Sequence, residues 1–92
     1  MWLVYAPELE TLDQLLGGEL ALSIIRALYA DHASFARAVH ALLLNRDVEL
    51  LNGDSAVVPQ WRWRELFVDG IIENEMPRLK LRITDRGSRR IE

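Results

Sequence analysis

Apolar positions recur at helical spacing through the first half of the chain. An apolar opening, Met1-Trp2-Leu3-Val4-Tyr5-Ala6, leads to Pro7, whose missing N–H costs nothing at the start of a helix. Thr11-Leu12-Asp13-Gln14 has the form of a capping box, and Gly17-Gly18 closes this first element. Leu20, Ile24 and Leu28, with Ala21 and Ile25, form a stripe that predicts a second helix over 19–30. Asp31 or Ser34 then caps a third helix over 34–45, with Phe35, Val39, Leu42 and Leu43 as its buried face.

The period then changes. Val48-Glu49-Leu50-Leu51 and Ala56-Val57-Val58 flank Asn52-Gly53, a strong short-range hairpin signal, so 46–58 is expected to be a β-hairpin. Pro59 opens a fourth helix over 59–69, and Gly70 ends it. Trp63, Leu66 and Phe67 are its expected core face. Leu79, Leu81 and Ile83 alternate with Arg78, Lys80 and Arg82, the signature of a half-buried strand. Ile71 to Met76 is its expected hairpin partner. Thr84 can cap a last helical turn through Ile91. Leu43–Leu50 and Leu66–Glu73 share a weak echo of helix end, turn and emerging strand.

Composition narrows the class. Ninety-two residues, half of them apolar, supply one α+β domain over 1–92, with 1–7 as an N-terminal arm. That arm is expected to pair with a sheet edge, in this chain or in a second copy as a homodimer. Cysteine is absent, so there is no disulfide framework and no thiolate chemistry. No apolar run reaches the length of a membrane span. The opening lacks the basic region of a signal peptide and turns acidic at Glu8. The expected location is the cytoplasm, with no membrane partner.

Charge is uneven. The net value of −3 divides into −5 over residues 1–58, from eight acids against three bases, and +2 over 59–92, from eight bases against six acids. The basic half draws attention to Arg62 and Arg64 on the fourth helix, and to Arg78, Lys80 and Arg82 on the last strand.

The order helix, tight break, helix, strand pair resembles the winged helix-turn-helix. Trp63-Arg64-Glu65-Leu66-Phe67-Val68-Asp69-Gly70-Ile71-Ile72-Glu73 looks like a recognition helix running into a wing. Leu81-Arg82-Ile83-Thr84-Asp85-Arg86-Gly87 resembles the leucine–threonine–x–x–glycine ending common after the wing in bacterial regulators. The resemblance implies a small winged-helix-like domain of three to four helices with two β-hairpins. Two layouts compete. In the preferred one, helix 59–69 is the recognition helix, 71–84 is the wing and 46–58 is an insertion. In the other, helix 34–45 is the recognition helix and the Asn52-Gly53 hairpin is the wing, with the C-terminal third appended.

Two classes of partner follow. A nucleic acid would need clustered bases, and Arg62, Arg64, Arg78, Lys80 and Arg82 are the candidates. Against this, the domain is acidic overall, and a hairpin register would set Glu73 and Glu75 across from Arg78, Lys80 and Arg82. A protein partner is the favoured reading. Trp61 and Trp63, two apart on a helix, point about 200° apart, so one should be core and the other near the surface. Trp63 continues the core stripe; Trp61, beside Arg64, has the character of an interaction anchor.

No catalytic constellation is visible. His32 and His40 lie eight apart without a nucleophile and acid in order. Neither belongs to a metal-ligand set, and Gly17-Gly18 is not a phosphate loop. The reading is therefore a non-catalytic protein-interaction or regulatory adaptor without cofactor or metal, with a DNA-binding regulator as the alternative. Trp61, Arg62, Arg64, Arg78, Lys80 and Arg82 form its expected binding surface.

Overall fold

A computed structural model describes residues 7–91. The expected N-terminal arm, apart from Pro7, lies outside the described residues. Helix α1 spans Pro7–Leu15 and buries Thr11, Leu12 and Leu15. Because the helix begins at Pro7, Thr11 falls in its second turn and is not a cap. Its hydroxyl instead donates to the Pro7 carbonyl at 2.7 Å and meets the Tyr29 hydroxyl at 2.9 Å.

The second expected helix is split. Leu20–Ala21 is a short strand, β1, and only Leu22–Arg26 is helical, as α2. Backbone pairing of Leu20 with Leu81 and Ala21 with Lys80 overrides the helical period there. The change of phase buries Leu22 and Ile25 and leaves Ile24 at the surface. Helix α3, His32–Leu44, starts as its cap predicts: the Asp31 carboxylate accepts from the Ser34 N–H at 2.7 Å. Phe35, Val39, Leu42 and Leu43 are buried as expected.

Strand β2 is Val48–Asn52, and the chain does reverse after it. Asn52 N–H donates to the Ala56 carbonyl at 2.8 Å, and Leu51 forms an isolated bridge with Val57. The tight Asn-Gly turn is not realised, since the left-handed residue is Ser55, at φ 68°. A 3-10 turn over Gln60–Arg62 then leads into α4, Trp63–Phe67. Gly70, at φ 88°, follows it.

The second expected hairpin is absent. Ile72–Glu75 is a short helix, α5, and Met76–Arg78 is a 3-10 turn. Strand β3, Leu79–Ile83, has both its edges taken, one by β1 and one by β2, all antiparallel in the order β1-β3-β2. No edge is left for residues 71–76. The echo between Leu43–Leu50 and Leu66–Glu73 therefore fails, because its second copy emerges as helix. Helix α6, Asp85–Arg90, follows, and the Thr84 hydroxyl accepts from the Gly87 N–H at 3.1 Å. The α+β class stands, with six α-helices and one three-stranded antiparallel sheet among the described residues.

Leu12, Leu22, Ile25, Phe35, Leu42, Leu50, Leu66 and Leu81 meet in one buried cluster between the helices and the sheet. Burying each such side chain is worth about 1.5–3 kcal/mol. The placing of β3 at the centre brings the C-terminal third into this core, so it is not an appended unit.

Candidate interaction surface

The six expected binding residues separate into two regions. Trp61, Arg62 and Arg64 lie on the 3-10 turn and α4. Lys80 and Arg82 lie on the central strand, with Arg78 just before it. On the strand, the bases are matched by acids. Arg82 Nη2 lies 2.9 Å from a Glu49 carboxylate oxygen, and Arg82 Nη1 lies 3.8 Å from Glu19. Lys80 Nζ lies 3.8 Å from Glu19. Neutralisation across the sheet was expected, but from Glu73 and Glu75. Both fall in the α5 helix instead, and Glu73 lies 3.7 Å from His32. Register explains Glu49, which is the direct partner of Arg82 in the β2–β3 ladder. Glu19 reaches both bases from just before β1.

The α4 region is different. Trp63 is 7% exposed and belongs to the core, whereas Trp61 is 75% exposed. Arg62 is held by Glu65 at 3.0 Å, but Arg64 forms no ion pair among the described residues. Arg64 lines an open groove of about 370 Å³ with His40, Leu44, Gln60, Trp63 and Val68. Leu44 and Val68 are both more than half exposed. His40 stacks on Phe67, with ring centroids 5.9 Å apart and planes 14° from parallel, which fixes one wall. The groove is thus apolar with a cationic margin and contains no carboxylate.

The outer face of α3 continues this surface. Ala33, Arg37, Ala41 and Leu44 are its exposed residues, at helical spacing. On the far side, Arg37, Ala38 and Ala41 line a second groove with Pro7, Glu8, Tyr29 and Ser34. Sequence reasoning left Leu44 and His40 out of the surface, while Val68 falls on the helical face that carries Trp61 and Arg64. Leu44 follows the buried Leu42-Leu43, and only the exact end of α3 turns it outward.

Outside this surface, the Asp47 side chain is fully buried, with one carboxylate oxygen lacking a hydrogen-bond partner among the described residues. Its carboxylate pairs with Arg90, and Arg86 lies 3.9 Å away. Its carbonyl accepts from the Thr84 N–H at 3.0 Å, and the Thr84 hydroxyl proton is shared between this carbonyl, at 3.0 Å, and that of Arg46, at 2.6 Å. Among the described residues no group of three or more His, Asp or Glu is gathered to hold a metal, and no helix is long and apolar enough to cross a membrane. Comparison with protein-family models, curated proteins and solved structures finds no match for this chain.

Proposed function

We propose that the chain is a non-catalytic, winged-helix-like binding domain that holds a protein partner on the outer face of α3 and the adjoining α4 segment. The observation that carries this reading is the groove of Leu44, Val68, His40 and Arg64, bordered in sequence by the exposed Trp61. Exposed Trp and Arg beside an apolar groove are the residue types that dominate interaction hot spots. The absence of cysteine fits a reducing compartment, so the partner is sought in the cytoplasm.

The winged-helix reading rests on order: α2, a short break, α3, then the antiparallel pair of β2 and β3. Pairing of β2 with β3 matches neither expected layout; it supports one with α3 in the recognition-helix place, as in the second, and β3 as a wing strand, as in the first. Residues 53–78 then stand where a wing would be. A recognition helix that reads DNA must bring bases to the phosphates. The outer face of α3 offers one, Arg37, among alanines and Leu44. Lys80 and Arg82 are already paired with acids. A protein partner therefore fits better than a nucleic acid.

Binding to a pool of mixed-sequence duplexes across a salt series tests the choice. The expected result is no measurable binding even at low salt. A log–log slope of several, abolished by Arg64→Glu with the fold retained, contradicts the protein reading.

A further inference from the structure

The bases around the α3–α4 groove differ in what holds them. Arg62 is paired with Glu65 at 3.0 Å, and Arg46 donates to the Gln60 side chain at 3.2 Å. The exposed Arg64 guanidinium makes neither a hydrogen bond nor an ion pair among the described residues. A second base without an ion pair among the described residues, Arg37, stands on the outer face of α3. Glu8 lines the second groove with Arg37 but forms no ion pair with it. From Arg37 to Leu44 the helix rises about two turns, or about 10 Å, and the exposed residues on the way are uncharged. A free guanidinium beside an apolar groove sets the sign of what can be buried there. A partner base would be repelled, whereas a partner carboxylate gains charge-assisted hydrogen bonds.

We infer that the segment held along α3 and α4 is an acidic amphipathic helix of the protein partner. The inference rests on the protein-partner reading and adds the chemistry of the partner. The outer face of α3 is a helix surface, and helices pack by setting the ridges of one into the grooves of another. A helix laid in a groove seats apolar side chains from one stripe and sends the flanking polar ones to the margins. Here the stripe meets Leu44, Val68 and the His40 ring, while flanking carboxylates meet Arg64 at one end and Arg37 at the other. The groove, at about 370 Å³, is larger than the cavity of about 150 Å³ that accepts benzene, so a leucine or phenylalanine side chain fits. Charge complementarity selects the acidic helix over a basic or neutral one, because the charged side chain lining the groove is the free Arg64.

Selection from a displayed library of random peptides about 15 residues long, enough for an isolated helix to form, tests the inference with the full chain as bait. Enriched peptides are expected to carry Leu, Ile or Phe at helical spacing with Asp or Glu beside them. The strongest of them, synthesised and titrated, should bind at least about tenfold more weakly to Arg64→Glu and to Val68→Asp. Both positions are exposed, so the circular dichroism of the fold should be unchanged. With Arg64→Glu as bait, enrichment should move to peptides rich in Lys and Arg. Enriched peptides without an acidic excess, peptides indifferent to Arg64→Glu, or no enrichment at all would each overturn the inference. Basic or neutral peptides that still lose binding with Val68→Asp overturn the acidic assignment alone and leave the protein-binding groove standing. Duplex binding that Arg64→Glu abolishes overturns the reading on which the inference rests.

Discussion

A β-carbon at Gly87 would overlap the Asp47 carbonyl oxygen and crowd Ile83 Cγ1. That carbonyl is held in place by the Thr84 N–H. Gly87→Ala should therefore destabilise the fold by about 1–3 kcal/mol, read as a lowered denaturant midpoint. The leucine–threonine–x–x–glycine ending was visible in the sequence, and so was the Thr84 cap. The need for the glycine was not, since it arises from a contact with a residue forty positions earlier. Asp31 gives a second test. The backbone and hydroxyl hydrogen bonds of Ser34, then the charges of Arg37 and Arg26, hold its carboxyl below the usual aspartate range. A carboxylate with a depressed folded-state pKa contributes stability that is complete above its unfolded value and lost as pH falls through the folded one. Asn caps a helix about as well as Asp but does not titrate. Asp31→Asn should thus remain close to the parent at neutral pH and lose less stability than the parent on acidification, as followed by thermal unfolding from neutral to acid pH.

At the scale of elements, local signals marked α1, α3, α4 and α6 because their caps, prolines and apolar stripes act within a few residues. They failed where a strand needed a distant partner. Leu20-Ala21 has helical spacing but is claimed by β3. Ile71–Met76 looks like the near arm of a hairpin but finds both edges of β3 occupied. The same pairing decides the electrostatics. Alternation in β3 correctly marked Lys80 and Arg82 as the polar face, yet their counter-charges come from Glu49 across the ladder and from Glu19. Partly exposed pairs of this kind contribute only about 0–1 kcal/mol each, so their removal should leave the fold intact. Glu19→Gln combined with Glu49→Gln should unmask the strand. The double variant is expected to gain weak, salt-sensitive duplex binding in an electrophoretic mobility assay at low salt. If it stays as inert as the parent, ion pairing is not what silences these bases.

For the molecule as a whole, the separation of Trp61 from Trp63 was legible from helical geometry, and exposures of 75% and 7% agree with it. The groove beside them was not legible, because it is assembled from the end of α3, the 3-10 turn and the chain after α4. Only the tertiary packing of α3 on α4 places Leu44, Arg64 and Val68 around one depression. An apolar depression with a cationic margin and an adjacent exposed tryptophan is a surface suited to another protein, whether a different chain or a second copy of this one. The direct test is site-specific photocrosslinking in the cells that make the protein. A photoreactive residue replaces Trp61 or Leu44 in the full chain, with Ile24 on α2, as open to solvent as Leu44, as the control. The account predicts a discrete protein adduct of the same mass from positions 61 and 44, none from position 24, and its loss when Val68→Asp is added. Adducts to nucleic acid, or a pattern at position 24 indistinguishable from that at position 61, would contradict it.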